Sequence, residues 1–82
     1  MKNIISKLWG YKKLSDIEIP RKFKMNPPKK DKMYERERYY KLTGKFLVPI
    51  VLKENLLVDG YTTYLLAKKL NKKYVKVKRW QE

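Results

Sequence analysis

The amino-terminal segment has apolar residues at helical spacing. They form one stripe, Ile4, Ile5, Leu8 and Trp9, with lysines on the other side. This pattern predicts an amphipathic helix or arm within residues 1–13, with Gly10 as the residue that follows the helix. We expect the helix to pack on a domain formed by residues 14–82, although a helix lying on a membrane surface has the same pattern.

The next segment changes from an extended to a helical pattern. Apolar and polar residues alternate towards the end of residues 14–19, which predicts a short strand ended by Pro20. Residues 20–30 are rich in proline and in basic residues, which predicts an extended loop. Residues 30–43 contain neither Pro nor Gly, so we predict a helix that ends at Gly44.

The second half of the chain predicts a hairpin, a helix and a strand. Residues 46–52 are almost continuously apolar, which predicts a strand buried on both faces, and residues 56–58 form the second strand of the hairpin. A helix over residues 61–70 and a final strand over residues 74–80 follow. This order predicts an α/β (α+β) fold. The expected core consists of Leu47, Val48, Ile50, Val51, Leu57, Val58, Leu66, Ala67, Leu70, Val75 and Val77.

Three stretches of this half carry a resemblance to a known family. They read Pro49-Ile50-Val51-Leu52, then Leu57-Val58-Asp59-Gly60-Tyr61, then Tyr64-Leu65-Leu66-Ala67-Lys68-Lys69-Leu70. In this order they resemble the ParB N-terminal/sulfiredoxin-like domain, also called the ParB-like nuclease domain, over residues 14–79. The resemblance implies a small α/β (α+β) domain in which helices pack on a mixed sheet. It also implies a site at the turn after the second strand.

The residues at that turn depart from the family pattern. In the ParB proteins that the chain resembles, a Gly-Glu-Arg-Arg sequence places arginines on nucleotide phosphates, whereas Tyr61, Thr62 and Thr63 follow Gly60 here. Sulfiredoxins have a catalytic Cys followed by His and Arg, but this chain has no Cys and no His. Sulfiredoxin chemistry is therefore excluded, and the arginine contacts of nucleotide binding are missing.

The turn itself, formed by Asp59, Gly60, Tyr61, Thr62 and Thr63, has two interpretations. As a phosphate or nucleotide site, it would use backbone N–H groups at a helix amino terminus together with two hydroxyls. As a plain helix start, Asp59 caps the free N–H groups and Gly60 permits the turn. Thr62 then faces solvent and Thr63 faces the core. We favour the second interpretation because no Arg or Lys lies within the turn.

The net charge of the chain limits the classes of molecule that we expect it to bind. Lys and Arg total 22 against 8 Asp and Glu, which gives a formal net charge of +14. Such a field attracts polyanions, namely DNA or RNA, an anionic membrane or an acidic protein. The alternative is that the lysines form a generic solvated surface. The candidate nucleic-acid-binding residues are Arg21, Lys22, Lys24, Lys68, Lys69, Lys72, Lys73, Tyr74, Lys76, Lys78 and Arg79.

The final strand adds aromatic rings to this charge. Its alternating positions place on one face Tyr74, Lys76, Lys78 and Trp80. Rings interleaved with cations suit single-stranded nucleic acid, because bases stack on the rings while phosphates pair with the cations. Packing of the two rings under the amino-terminal helix explains the same pattern equally well.

We therefore expect a single-domain ParB-like protein that binds nucleic acid by contacting phosphates through its Lys and Arg surfaces. The alternatives are a phage or plasmid accessory module that docks on an acidic protein, or a degenerate nucleotide-binding domain. We expect no catalytic residue, metal or cofactor, because Cys and His are absent and the carboxylates are scattered. Among those carboxylates, Glu37 is expected to pair with Lys41. No apolar run is long enough to span a membrane, so the expected location is cytoplasmic.

Overall fold

The computed structural model describes residues 9–80. Its strands are β1 (Trp9–Lys13), β2 (Ile50–Lys53), β3 (Leu56–Asp59) and β4 (Tyr74–Arg79). Its helices are α1 (Arg21–Met25), α2 (Lys30–Thr43) and α3 (Tyr61–Lys69), with a 3-10 helix at Leu14–Asp16. The four-stranded sheet has the order β1-β4-β2-β3, in which β4 pairs antiparallel with β1 and parallel with β2. The expected α/β domain with a mixed sheet is confirmed.

The hydrophobic core lies between the helices and one face of the sheet. Its buried members are Leu14, Ile17, Ile50, Leu52, Leu57, Leu66, Ala67 and Val75. Side chains alternate along a strand, so Ile50 and Leu52 point inward from β2 while Val51 between them stays partly exposed. The prediction that this strand is buried on both faces is therefore wrong.

Several predicted core positions are less buried than expected. Leu47 is 50% exposed, and partial exposure is also found at Val48, Val51, Val58, Leu70 and Val77. The strand predicted from residue 46 begins at Ile50, because Pro49 has no N–H group to donate to a neighbouring strand. Residues 44–49 therefore connect α2 to β2, and Leu47 faces solvent.

A strand replaces the end of the predicted amino-terminal helix. Trp9 and Gly10 lie in β1, so their assignment to a helix end is wrong, while Ile4, Ile5 and Leu8 lie outside the described residues. All 5 residues of β1 are in register with β4. This pairing satisfies N–H and C=O groups along β4 that would otherwise form an open edge. A non-local contact therefore outweighs the local helical spacing.

The strand predicted over residues 14–19 is reduced to one parallel bridge between Glu18 and Leu56. The N–H of Glu18 donates to the carbonyl of Asn55 at 2.8 Å, and its carbonyl accepts from the N–H of Leu57 at 2.9 Å. The residues before it form the 3-10 helix, which buries Leu14. The alternating pattern of residues 14–19 therefore corresponds to a single bridged residue beside β3, and not to a full strand.

The basic segment after Pro20 is helical where an extended loop was predicted. The helix α1 starts directly after this proline, whose fixed φ suits the position before a helix. The ring of Phe23 packs on that of Tyr61, with centroids 5.5 Å apart. Arg and Lys have good helix propensity, which favours a short helix in this basic segment.

The two longer helices have the predicted positions. The helix α2 occupies Lys30–Thr43 and ends at Gly44, whose left-handed φ is 74°. The helix α3 ends at Lys69, one residue before the predicted end. Within the described part of the chain, no helix is both long enough and apolar enough to cross a membrane.

Candidate nucleic-acid interface

The face of the sheet opposite the core carries both aromatic rings and lysine amines. Val75 and Val77 belong to the core side, so the residues that alternate with them point to the opposite, open face. On β4 these residues are Tyr74, Lys76 and Lys78, and their cross-strand partners on β1 are Lys13, Tyr11 and Trp9 respectively. Residues directly opposite each other share a face. We call these residues together the aromatic–lysine strip.

The strip presents flat apolar surfaces next to positive charges. The side chains of Tyr11 and Tyr74 are 76% and 57% exposed. The Nζ atoms of Lys76 and Lys78 lie 5.0 and 5.8 Å from the centroid of the Trp9 ring. These cation–π contacts hold both ammonium groups at the surface beside the ring. A ligand on this face therefore meets rings and ammonium groups at the same time.

A basic pocket adjoins one end of the strip. It is a cavity of about 440 Å³ lined by Lys13, Leu14, Ser15, Tyr64, Lys68, Lys72 and Lys73. The N–H of Leu14 donates to the carbonyl of Lys73 at 2.9 Å, which joins the end of β1 to the segment before β4. None of the lining residues is acidic. Lys13 belongs to both the strip and the basic pocket, so the two adjoin at this residue, with the basic pocket on the α3 side of the sheet.

Lys69 takes part in an ion-pair network next to this surface. Its Nζ donates to Oε1 of Glu37 at 2.8 Å, and the Nζ of Lys41 lies 3.5 Å from Oε2 of the same carboxylate. The predicted pair of Glu37 with Lys41 is confirmed, and Lys69 joins it from α3. The hydrogen bond from Lys69, together with both positive charges, holds the pKa of Glu37 below its ordinary value of 4.5 despite an opposing effect of burial. Lys69 is therefore less available to a phosphate than its neighbours.

The basic residues of α1 form a separate group. Phe23 contacts Tyr61 at the start of α3, whereas the basic pocket lies beside the end of that helix. Tyr61 is the first residue of this helix of 9 residues, whereas Lys68 of the basic pocket lies in its last turn. The predicted residues of this group are Arg21, Lys22 and Lys24. The structure does not bring them together with the strip.

The last predicted positions lie at the end of β4. Arg79 pairs in register with Leu52, so it points to the face opposite the strip. Trp80 follows the strand and its side chain is 43% exposed. Its backbone N–H donates to the carbonyl of Leu52 at 2.8 Å, which fixes the chain beside β2.

The turn between β3 and α3 has the geometry of a tight helix start. Gly60 has a left-handed φ of 91°, and a Cβ atom there would collide with the carbonyl oxygen of Pro49. The Oδ1 atom of Asp59 accepts the N–H of Gly60 at 2.8 Å. Gly60 itself occupies the N-cap position, without a side-chain capping bond. The prediction that Asp59 caps the helix is therefore wrong, and its carboxylate instead holds the turn.

Both threonines of the turn are buried. Thr62 is 7% exposed, so the prediction that it faces solvent is wrong, whereas the inward position of Thr63, 3% exposed, is confirmed. The hydroxyl of Thr63 donates to the carbonyl of Val48 at 2.6 Å. This hydroxyl is used inside the fold, and Thr62 as a whole is largely buried. The geometry therefore favours the interpretation as a helix start.

Sequence reasoning misses three members of the strip, which are Trp9, Tyr11 and Lys13. Their alternation with Gly10 and Lys12 is the signal for a strand, but the helical stripe that precedes them predicts a helix. The lining residues Ser15 and Tyr64 were also missed, because only the folded chain brings them to the basic pocket. Across residues 9–80, no group of three His, Cys, Asp or Glu residues is placed to hold a metal ion.

Solved structures of ParB N-domains are similar to this fold. The structure of the C2221 form of the Pnob8-like ParB-N domain aligns with a TM-score of 0.72 at 23% identity, over 90% of this chain and 30% of that chain. The structure of the pNOB8-like ParB N-domain aligns with a TM-score of 0.67 at 25% identity, over 87% of this chain and 26% of that chain. The chain thus spans less than a third of either protein. No family model and no curated protein matches the sequence. The chain has the fold of a ParB N-domain, which confirms the resemblance seen in its sequence.

Proposed function

We propose that this domain binds nucleic acid, mainly through contacts between its lysines and phosphates. The observation that carries the proposal is the basic surface formed by the strip and the adjoining basic pocket, which share Lys13. Its cations are Lys13, Lys68, Lys72, Lys73, Lys76 and Lys78, and neither part contains an acidic residue. A polyanion that follows this surface pairs with several ammonium groups and meets no opposing carboxylate from it.

The chemistry of lysine predicts binding that depends little on the base sequence. An ammonium group is a point charge with three donors, so it accepts a phosphate from many directions. Base edges are instead read mainly by side chains such as Arg, whose planar fork forms two parallel hydrogen bonds. The strip and the basic pocket contain no Arg. We infer affinity for the backbone of the nucleic acid with little preference for sequence.

The charge balance of the chain supports the same proposal. Between described residues, the ion pairs join Glu37 to Lys41 and Lys69, and they leave the lysines of the strip and of the basic pocket available to a ligand. The formal net charge of +14 adds a long-range field that accelerates encounter with a polyanion at low salt.

Two other partners would use parts of the same chemistry. An acidic protein surface could pair with the same lysines, as it would for a phage or plasmid accessory module. A nucleotide would have to bind at the turn after β3, where Thr62 and Thr63 are buried and give it little support.

Binding to labelled DNA and RNA tests the proposal. Each nucleic acid is offered as a single strand and as a duplex, in about 50 mM and about 200 mM salt. We expect binding at the lower salt concentration and, for five or six phosphate contacts, affinity roughly 10²- to 10³-fold weaker at the higher one. If no nucleic acid binds even at the lower salt concentration, the proposal is rejected and an acidic protein becomes the better candidate.

A further inference from the structure

We propose that the aromatic–lysine strip selects single-stranded over double-stranded nucleic acid, by stacking unpaired bases on its rings. This inference rests on the proposed function and names its substrate class. It depends on β1, which adds Trp9 and Tyr11 to the rings of β4 and builds a two-dimensional array.

The array pairs every ring with a cation across the two strands. Across the two strands, Trp9 faces Lys78, Tyr11 faces Lys76 and Lys13 faces Tyr74. Along each strand, members of the strip are two residues apart. Each ring therefore faces a lysine across the strands, and the Trp9 ring has two ammonium groups near it, at 5.0 and 5.8 Å from its centroid. This is the arrangement in which a base stacks on a ring while its own phosphate reaches a neighbouring cation.

The spacing of the rings favours a single strand. Trp9 and Tyr11 are two residues apart on β1, which places them roughly 6.8 Å apart at the rise of an antiparallel strand. Successive bases on one strand of a duplex are separated by about 3.4 Å along its axis. A strand that stacks successive bases on both rings must therefore be stretched to about twice that separation. Base pairing in a duplex prevents this stretching.

The shape of the strip also favours single-stranded nucleic acid. A duplex hides the faces of its bases and presents base edges in its grooves, which are read by a projecting helix or ribbon. The rings of the strip lie on the broad open face of the sheet, where they can cover a base but do not project into a groove. Single-stranded nucleic acid exposes the faces that such rings can cover.

The exposure of the rings supports a stacking role. Tyr11 is 76% exposed and Tyr74 is 57% exposed. Trp9 is partly buried, and its contacts with Lys76 and Lys78 fix it at one end of the array. The positive charge beside each ring favours a polyanion over an apolar protein surface as the molecule that covers these rings.

The test compares one labelled 12-nucleotide DNA strand with its own duplex by fluorescence anisotropy at low salt. We expect the single strand to bind more tightly. Tyr11→Thr and Tyr74→Thr remove a ring and retain a residue that favours strands. Each should weaken single-strand binding roughly 5- to 150-fold, the range for loss of one stacked base, with a much smaller effect on the duplex. Tyr11→Phe and Tyr74→Phe keep the ring and should retain wild-type affinity.

A matched control lies outside the strip. Tyr34 on α2 is 65% exposed, so Tyr34→Ala removes an equally exposed ring from another surface. It should leave both affinities unchanged. In a Trp80→Phe background, the fluorescence of Trp9 should be quenched by the single strand, because stacking places a base on its ring.

The outcomes separate this inference from the proposed function. If the duplex binds as tightly as the single strand, or if the Thr variants behave like Tyr34→Ala, stacking selectivity is rejected while nucleic-acid binding stands. If neither form of DNA nor the corresponding RNA binds, both proposals are rejected. Circular dichroism and urea unfolding of each variant show whether a loss of affinity reflects loss of the ring or loss of the fold.

Discussion

Gly60 shows how a single residue positions α3 on the sheet. Its φ of 91° is one that residues with a Cβ rarely adopt, and an added Cβ would lie 2.8 Å from the Cα atom of Ile50. The absence of a side chain therefore lets the turn approach the segment before β2 closely. That approach is accompanied by the hydrogen bond from the hydroxyl of Thr63 to the carbonyl of Val48. One backbone position thus allows both the turn and the first contact of the helix.

The substitution Gly60→Ala should destabilise the domain more than Gly44→Ala does. Both glycines have left-handed φ values, 91° and 74°, but a Cβ at Gly44 has no neighbour within 4 Å. Gly44→Ala should therefore lower the free energy of unfolding by about 1–2 kcal/mol, from backbone strain alone. Gly60→Ala adds a collision with backbone atoms and should cost about 2–5 kcal/mol. Urea unfolding of both variants measures the difference, and equal costs would contradict the close approach to Pro49.

At the scale of elements, α2 and α3 are joined by one carboxylate. Glu37 on α2 accepts from Lys69 on α3 while it also pairs with Lys41 on its own helix, and its side chain is 18% exposed. The pKa of Glu37 is lowered in the folded state, mainly by the hydrogen bond from Lys69. The ionised form is therefore favoured by folding, and the contribution of this pair to stability depends on pH.

Glu37→Gln should remove that part of the pH dependence. Because the folded pKa is lowered, the stabilisation is complete above the ordinary value of 4.5 and is lost as the pH falls through the lowered value. The variant should thus be less stable than the wild type at pH 7, and the difference should shrink in acid. Urea unfolding over a pH series measures this. Glu35→Gln, at an exposed position of the same helix, is the control. A difference for Glu37→Gln that stays constant with pH would contradict the assigned role.

The turn before α3 should not respond to nucleotides. Thr62 is buried and the hydroxyl of Thr63 is already donated to Val48. Addition of a nucleoside triphosphate should therefore leave the melting temperature unchanged. A ligand of the folded state at a hundred times its dissociation constant would instead stabilise the domain by about 2.7 kcal/mol. A phosphate-dependent rise in melting temperature would contradict the helix-start interpretation and favour a nucleotide site.

The elements differ in how well the sequence predicts them, and the difference follows the range of the contacts that form them. The bounds of α2 are predicted because Gly44 ends it locally, and the β2–β3 hairpin because its turn lies between two apolar runs. The strand β1 is missed because its partner β4 lies far along the chain. The lysines of the candidate site are found from composition and pattern. Only the folded chain shows that β1 places Trp9 and Tyr11 beside these lysines. The same holds for the ion pair between Lys69 and Glu37.

At the scale of the whole molecule, the fold divides the positive charge among distinct surfaces. The strip and the basic pocket share Lys13, while the basic residues of α1 lie beside the start of α3, where Phe23 contacts Tyr61. A net charge of +14 alone does not distinguish these surfaces. The dependence of binding on salt does, because its slope counts the phosphates that a given surface neutralises.

Lys76→Gln together with Lys78→Gln should flatten the salt dependence of binding. Each phosphate contact contributes a slope of about −0.7 in log affinity against log salt on single strands and about −0.9 on duplex DNA. If five or six lysines make contacts, the wild-type slope on duplex DNA is roughly −4 to −5, and loss of two contacts reduces its magnitude by about 1.8. Affinity should fall for all sequences alike, because lysine contacts to phosphate carry no base preference. Binding titrations at several salt concentrations measure both effects.

Lys30→Gln together with Lys32→Gln is the matched control, since it removes the same charge from exposed positions on α2. If net charge alone governed binding, both double variants would lose the same affinity and slope. If the strip makes direct phosphate contacts, the control lowers affinity slightly through the long-range field and keeps its slope. An unchanged slope in a folded Lys76→Gln, Lys78→Gln variant would contradict the assignment to the strip. The contacts would then move to the other basic group, formed by Arg21, Lys22 and Lys24 on α1.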